Sequence, residues 1–230
     1  MVDESRSVIE ALDRIRVVLE SSNGNDDGAG EDAVTADHPQ IANGPVEVVL
    51  AFNNDEYIKL ENATGDNPYF SSHGVLTDLQ HRELPGSKVE TTFPVEREKL
   101  PDTVQWPPVQ STPWDAPPLD QAHTLGHGYS KQAYFFNDGA DSLVTVGPSL
   151  PKIAVLKNGG AQFWVASIGV IAQGTGKYEG ARGTSVYIGS AYLEHWPQSF
   201  EEQAVVLAKG FKALVGTYFK LVLPKDHAAG

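Results

Sequence analysis

Two short segments carry residue types whose spacing is associated with ligand binding. In HTLGHG, His123 and His127 stand four residues apart, a spacing that places two imidazoles on one face of a helix for a metal ion. Nearby glycines and a proline-rich approach disfavour a helix there, and no third ligand follows. In GTGKYEGARG, a phosphate-binding loop would need Ser or Thr directly after Lys177, where Tyr178 stands instead. We therefore expect no metal site, no nucleotide site and no cofactor.

Other common catalytic groups are absent from the sequence. The chain has no cysteine, which excludes a catalytic thiol, a thiolate metal site and a disulfide framework. It also lacks the nucleophile elbow of the serine hydrolases.

The charge of the chain is concentrated near its start. Residues 1–66 contain 4 basic and 15 acidic residues, and residues 67–230 contain 13 basic and 15 acidic residues, so the regions carry −11 and −2. Nucleic-acid binding rests on clustered Lys and Arg, and no such cluster is present. The acidic opening MVDESRSVIE lacks the order of a secretory signal, and no apolar run is long enough to span a bilayer. We expect a cytoplasmic protein without nucleic-acid or membrane partners.

The N-terminal region predicts a helix followed by a linker. Val8, Leu12, Ile15 and Leu19 form one helical stripe, which we place in a helix over residues 1–22. Three fates remain open for this helix: docking on the rest of the chain, self-association into a homo-oligomer such as a dimer or trimer, or disorder. Residues 23–45 are rich in Gly, Asn and Asp and predict a flexible acidic linker.

The rest of the chain predicts an antiparallel β-domain over residues 46–224 with a tail at 225–230. Alternating or β-branched runs predict about eight strands, beginning near residues 46, 74, 88, 132, 142, 162, 184 and 214. DGAD between YFFN and SLVTV is a hairpin turn, and such short connections favour antiparallel pairing. The fold class we predict is mainly β, a single antiparallel barrel of about eight strands, with a sandwich as the alternative.

Polar residues follow the first predicted strand. In VEVVLAFNND, Val48, Leu50 and Phe52 share one face, and the strand is predicted to end at Asn53-Asn54-Asp55. Asn53 and Asp55 are therefore candidate catalytic or hydrogen-bonding groups at the barrel mouth. The alternative is that their side chains only form the turn that follows the strand.

A long loop is predicted over residues 98–129. Six prolines interrupt this stretch, and Trp106 and Trp114 lie among them, so neither a helix nor a central strand can persist. Tryptophan side chains seek burial, which favours a lid over one barrel mouth in which both contact substrate. A plain surface loop is the alternative.

The glycine-rich segment carries a family resemblance. IAQGTGKYEGARGTSVYIGSAYL resembles the strand, glycine turn and strand of allene oxide cyclases, with Tyr178-Glu179-Gly180 after the turn, and Ala181-Arg182-Gly183 resembles the corresponding ending in dirigent proteins. The hairpin YFFNDGADSLVTVGPSLP is similar to the cyclase pattern as well, so the resemblance covers about residues 131–193. It implies a barrel with a largely apolar cavity that closes a ring in its substrate without a cofactor.

The resemblance also implies site residues. The dirigent motif places its arginine inward, so Arg182 is expected to bind a substrate oxygen; an ion pair with Glu179 is the alternative. Tyr178 is expected to line the cavity and donate its hydroxyl, or to be an ordinary core tyrosine. Ala51 stands where the cyclases place a glutamate proposed to assist ring opening.

Three aromatic residues complete the expected substrate pocket. Tyr134 and Phe136 share one face of their strand, and Trp164 lies on another strand. They either shape the cavity or simply fill the core.

The functional prediction is a cofactor-independent cyclase or isomerase. Its substrate is a small hydrophobic metabolite, an oxygenated or polyene biosynthetic intermediate, that undergoes a pericyclic or epoxide-opening ring closure inside the barrel. A non-catalytic carrier of a hydrophobic ligand is the alternative, and an oligomeric scaffold is the third.

Overall fold

The computed structural model describes residues 45–101, 103, 105–109 and 121–224. The predicted helix over residues 1–22, the predicted linker up to residue 44, Trp114 and the tail from residue 225 lie outside the described residues. The described strands are β1 (Val46–Glu61), β2 (Tyr69–Thr77), β3 (Lys88–Pro94), β4 (His123–Thr124), β5 (Gly128–Phe136), β6 (Asp141–Val155), β7 (Ala161–Thr175), β8 (Arg182–Leu193) and β9 (Phe211–Leu223). Helix α1 (Phe200–Lys209) precedes β9.

Eight of these strands form a closed antiparallel barrel. Their order is β6, β5, β3, β2, β1, β9, β8, β7, and β7 pairs again with β6 to close the sheet. The two-residue strand β4 pairs with β6 beyond the end of β5. Closure gives each of the eight described strands a neighbour on both sides over at least part of its length. The prediction of a mainly β, antiparallel barrel of about eight strands is confirmed.

The alternation of side chains separates an interior from an outer face. In β9, every second residue from Phe211 to Phe219 is buried, and the residues that alternate with them are exposed or partly exposed. Successive side chains of a strand point to opposite sides, so one side of each strand faces the barrel interior.

The predicted strand positions agree with the structure better than their predicted ends. All eight predicted runs overlap strands of the barrel. The predicted exit of the first strand at Asn53-Asn54-Asp55 is wrong, because β1 continues to Glu61 and pairs with both β2 and β9 across these positions. The predicted loop over residues 98–129 contains β4 and the start of β5.

Helix α1 was not predicted from the sequence. Ser199 caps it, since its hydroxyl oxygen accepts a hydrogen bond from the Glu202 backbone N–H at 3.3 Å, and Gly210 follows the last turn with φ 87°. Leu207 packs into the barrel core, and the Tyr57 hydroxyl of β1 donates to the Lys209 carbonyl at 2.6 Å. Within the described part of the chain, no helix is both apolar enough and long enough to cross a bilayer.

Two tight connections meet at one end of the barrel. Asn137 and Asp138 adopt positive φ in the hairpin between β5 and β6, as predicted for DGAD. In the β7 to β8 connection, Gly176 has φ 59°, and a Cβ there would lie 2.1 Å from the Asp141 carboxylate. The glycine-rich segment therefore forms a barrel corner, where Asp141 accepts a hydrogen bond from the Lys177 backbone N–H at 3.0 Å.

Candidate functional site

The barrel interior contains a polar belt between two apolar clusters. Along β1, Phe52 packs with one cluster, Asn54 and Glu56 are buried and polar, and Ile58 belongs to the other cluster. The same order recurs in β9, where Thr217 lies between Val215 and Phe219. The polar belt consists of Asn54, Glu56, Ser72, Thr91, Ser130, Gln132, Thr145, Ser149, Ser167, Ser185, Thr217 and the hydroxyl of Tyr187.

The clusters on either side of the belt close the two ends of the barrel. The corner-side cluster contains Leu76, Tyr134, Phe136, Tyr178, Phe219 and the partly buried Phe52. The helix-side cluster contains Ile58, Phe70, Phe93, Trp106, Phe163, Trp196 and Leu207 of α1. Both clusters include partly exposed members at their rims, such as Leu50 and Phe52 at the corner end and Val155 and Leu193 at the helix end.

Glu56 is the centre of the polar belt. Its side chain is 2% exposed, and its carboxyl accepts hydrogen bonds from three strands. The Tyr187 hydroxyl donates to Oε2 at 2.8 Å, the Ser72 hydroxyl donates to the same oxygen, and the Asn54 amide donates to Oε1 at 3.0 Å. The Asn54 amide also donates to the Thr217 hydroxyl at 2.9 Å. The carboxyl is thus held in one position by partners from β1, β2 and β8.

The surroundings of Glu56 favour its neutral form. Burial raises the pKa of the Glu56 carboxyl above its ordinary value, and the hydrogen bonds from Ser72, Asn54 and Tyr187 act in the opposite direction without cancelling it. The buried residues of the described chain include no Lys, Arg or His, and the exposed His73 of β2 acts on Glu56 only through its charge, which also lowers the pKa of the carboxyl. A carboxyl group with a raised pKa in a protein interior is suited to donate a proton near neutral pH.

A second hydrogen-bond network lies on the opposite wall of the belt. Thr145 donates to Gln132 at 2.7 Å, Gln132 donates to Ser130 at 3.0 Å, and Ser130 contacts the Ser167 hydroxyl at 2.8 Å. These residues belong to β5, β6 and β7. The interior is therefore lined with hydroxyl and amide groups on several sides.

Four buried polar atoms of the belt have no hydrogen-bond partner among the described residues: Asn54 Oδ1, Thr91 Oγ1, Ser149 Oγ and Ser185 Oγ. They come from four different strands, β1, β3, β6 and β8. Proteins seldom leave buried polar atoms unpaired, because each one costs about 1–3 kcal/mol. The belt that contains Glu56 therefore has free hydrogen-bonding capacity on several strands.

Asn53 and Asp55 do not enter this site. Both side chains lie on the outer face of β1, where Asp55 is exposed and the Asn53 amide donates to the Asp78 carbonyl at 3.3 Å. Their neighbours Asn54 and Glu56 point inward instead. The expected position of Asn53 and Asp55 at a barrel mouth is therefore wrong, because both lie on the outer face in the middle of a longer strand.

Arg182 and Tyr178 occupy different environments. Arg182 is exposed at the first position of β8, so the expectation that it points into the barrel is wrong. Tyr178 ends a short 3-10 helix and is buried in the corner-side cluster, with its ring centroid 5.4 Å from that of Phe136. Burial raises the pKa of its phenol to about 12. Tyr178 therefore covers the corner end of the barrel rather than reaching the belt.

Two of the expected aromatic residues lie together inside the barrel. Tyr134 is fully buried, with its ring 4.9 Å from that of Phe219, and Phe136 lies 5.6 Å from Phe52. Burial raises the pKa of the Tyr134 phenol, which stays protonated. These rings form an apolar wall next to the belt.

The two described tryptophans of the prediction lie apart from that wall. Trp164 projects to the outer face of β7, where it packs against Val109 and Ala122, so its expected place in the barrel pocket is wrong. Trp106 is buried in the helix-side cluster and stacks on Trp196 with centroids 5.8 Å apart. The described part of the predicted loop thus covers the helix end of the barrel.

The two histidines of HTLGHG do not share a helix face. His123 lies in β4 beside the Trp106 ring, and the backbone N–H of His127 donates to Glu96 at 2.9 Å. Among the residues that the structure describes, no three His, Asp or Glu side chains are grouped to hold a metal ion.

The centre of the site was not predicted, although the sequence contains a signal for Asn54 and Glu56. The apolar alternation Val48, Leu50, Phe52 continues through Asn54 and Glu56 to Ile58. Two polar residues in an inward register resemble the end of a strand when only hydrophobic periodicity is followed.

Comparison with known proteins adds one solved structure. No family model matches the chain, and no curated protein matches it. The structure of the pterocarpan synthase dirigent protein matches with a TM-score of 0.40 and 11% sequence identity, covering 83% of this chain and 97% of that chain. At this TM-score and identity, the likeness assigns neither a family nor an activity.

Proposed function

We propose that this protein is a cofactor-independent isomerase that closes a ring in a small, largely apolar, oxygen-bearing metabolite, with Glu56 as the acid. The observation that carries the proposal is the buried Glu56 carboxyl, hydrogen-bonded by Tyr187 in a belt that also contains unpartnered polar atoms. A buried acid without a buried cationic partner weakens a fold, because burying its charged form is costly, and such acids are common at functional sites.

The reaction that fits this geometry is an acid-assisted ring opening followed by ring closure. The proton of neutral Glu56 moves to the oxygen of an allylic epoxide, and the C–O bond breaks as the new O–H bond forms. The electron pair of a neighbouring double bond then closes the new ring on the electron-poor carbon. A proton leaves the ring carbon for the Glu56 carboxylate, so the product has the composition of the substrate.

Neighbouring side chains have separate roles in this scheme. The Tyr187 hydroxyl, 2.8 Å from Oε2, stabilises the carboxylate that remains after proton transfer. The rings of Tyr134 and Phe219 offer π-faces to the positive charge that develops on carbon. The closed wall of the barrel restricts the rotatable bonds of the substrate to one folded conformation.

The test is a comparison of two neighbouring acids. Purified protein is incubated with a panel of allylic epoxides and hydroxylated polyenes, and chiral chromatography with NMR detects products of unchanged mass. Glu56→Gln keeps the size of the side chain but cannot supply the proton, so we expect turnover to fall by about a hundredfold or more. Asp55→Asn, on the outer face of the same strand, should turn over normally.

The outcomes separate this proposal from the carrier alternative. Equal turnover by wild type and Glu56→Gln would remove the acid role. Binding of panel compounds that are always recovered unchanged would identify the barrel as a carrier and overturn the proposed reaction.

A further inference from the structure

The unpartnered polar atoms of the belt indicate the chemistry of a ligand that would bind there. Three of them are hydroxyls, which both donate and accept hydrogen bonds, and the fourth is the Asn54 carbonyl oxygen, which only accepts. The Asn54 amide nitrogen faces two acceptors, Glu56 Oε1 and the Thr217 hydroxyl. This orientation of the amide leaves its oxygen, Oδ1, without a partner. A ligand that forms a hydrogen bond with Asn54 Oδ1 must therefore carry an O–H or N–H donor.

The charges of the interior restrict the ligand further. The only buried acids of the described chain are Glu56 and Asp141, and Asp141 already faces Lys177 at the barrel corner. No buried Lys, Arg or His is present among the described residues to receive a carboxylate or phosphate head. An anion in the belt would lose its hydration without gaining a partner, at a large cost.

A cationic ligand is also disfavoured. Its natural partner would be Glu56, whose two oxygens already accept from Ser72, Asn54 and Tyr187. A cation would have to compete with these donors for the same lone pairs. The aromatic wall of Phe52, Tyr134 and Phe219 beside the belt offers apolar surface for the remainder of the molecule.

We infer, on the basis of the proposed function, that the substrate is an uncharged compound with an apolar body and at least one hydroxyl group, which donates to Asn54 Oδ1 beside Glu56. The unpartnered hydroxyls of Ser185 and Ser149 receive further oxygens of the same molecule. Epoxides without a hydroxyl and acids with an ionised head group are poor substrates for this interior.

Four probes with one alkyl chain test the inference by calorimetric titration: octanol, octyl methyl ether, octanoate and octylammonium. Octanol is expected to bind about tenfold more tightly than any of the others. The ether lacks the donor, octanoate brings an unpaired negative charge, and octylammonium competes for Glu56. Tighter or equal binding of any of these three, or no binding of octanol, would overturn the inferred class.

Variants on the two faces of one strand localise the binding. Ser185→Ala removes an inward hydroxyl of β8 and should weaken octanol binding about threefold to tenfold, whereas Ser190→Ala on the outer face should not change it. Asn54→Leu should weaken octanol binding by a similar factor and bring the ether level with octanol, with circular dichroism to show that the barrel is folded. Unchanged octanol affinity in Ser185→Ala would contradict the placement in the belt.

Failure of this inference and failure of the proposed function give different results. Octanol binding in the expected order, with no epoxide converted, removes the isomerase and leaves the ligand class standing. Conversion of an ionised substrate, lost in Glu56→Gln, removes the ligand class and leaves the isomerase standing.

Discussion

At the scale of the residue, the central question is how the barrel keeps a carboxyl group in its interior. Burial makes the charged form of Glu56 unfavourable, and three donors limit that effect. Tyr187 and Ser72 meet the same carboxyl oxygen, and Asn54 meets the other. Burial thus favours the protonated carboxyl, and the hydrogen bonds hold it in one orientation. General acid catalysis requires both properties.

Removal of the Tyr187 hydroxyl should shift the pH dependence of turnover in a known direction. The hydrogen bond from Tyr187 lowers the pKa of Glu56, so Tyr187→Phe should raise that pKa further. Because the proposed reaction needs protonated Glu56, the loss of turnover at high pH should move to higher pH. Carbon-13 NMR of the labelled carboxyl, assigned with Glu56→Gln, measures the same shift without substrate.

The control for this variant is Tyr57→Phe, which removes a hydroxyl on the outer face of β1 that donates to Lys209. Its pH profile should match that of wild type. A shift of the Tyr187→Phe profile to lower pH, or no shift, would show that Tyr187 does not act on the acid.

Arg182 provides a second test among single residues. The sequence resemblance implies an inward guanidinium, but the side chain is exposed at the start of β8. We expect Arg182→Ala to leave turnover unchanged and to alter stability by no more than about 0.5 kcal/mol, as is usual for exposed sites. A clear loss of turnover, measured on the epoxide panel, would show that Arg182 contributes to the reaction.

The sequence predicted the inward face of β1 but not the acid on it. Val48, Leu50 and Phe52 set the register, and a strict continuation reaches Asn54 and Glu56. The prediction stopped because Asn and Asp are depleted in strands and enriched in turns, so Asn53-Asn54-Asp55 has the composition of an exit. In this barrel, pairing with β2 and β9 on both sides overrides that local preference.

At the scale of the element, strand existence was predictable and strand length was not. Alternation in runs such as TYFKLVL identifies β9 directly. The long continuations of β1 and β6 contain Asn, Asp, Pro and Gly, which carry no strand signal alone and are held by neighbours on both sides. Helix α1 was not predicted, although Ser199 and Glu202 have the spacing of a capping box at its start.

The barrel corner formed by the glycine-rich segment can be tested with two matched glycines. Gly176 and Gly139 both have positive φ, and a Cβ at Gly176 would approach Asp141 and the Ala140 carbonyl, whereas a Cβ at Gly139 would meet nothing within 4 Å. Each alanine substitution should cost about 1–2 kcal/mol for the left-handed backbone. Gly176→Ala should cost distinctly more, because the clash adds to the backbone strain.

Urea denaturation of the two variants measures this difference. Equal losses of unfolding free energy would mean that the contact of Gly176 with Asp141 relaxes freely. A larger loss in Gly139→Ala would contradict the described geometry of the corner.

At the scale of the whole molecule, the barrel places a polar belt between two apolar clusters that supply its stability. The corner-side and helix-side clusters bury aromatic side chains at both ends, and such burial is the main favourable term in folding. The belt between them contributes a buried acid and unpaired polar atoms, both of which oppose folding. The molecule therefore accepts a loss of stability at its centre, where the proposed chemistry takes place.

This arrangement makes the stability of the barrel depend on pH through Glu56. The pKa of Glu56 is raised in the folded state, so at low pH both states hold the proton and the contribution of Glu56 is fully present. As pH rises through the ordinary range of glutamate toward the raised pKa, the unfolded state ionises first and stability is lost. The slope in this window is at most about 1.4 kcal/mol per pH unit.

The measurement is the unfolding free energy of wild type and Glu56→Gln by urea denaturation from about pH 5 to about pH 9. Wild type should lose stability relative to Glu56→Gln as pH rises, since glutamine cannot ionise. Asp55→Asn serves as the control, because it makes the same type of substitution on the exposed outer face of the same strand. A wild-type curve that gains on Glu56→Gln with rising pH would mean that the belt stabilises the charged carboxylate, and Glu56 would then be a base rather than an acid in the proposed reaction.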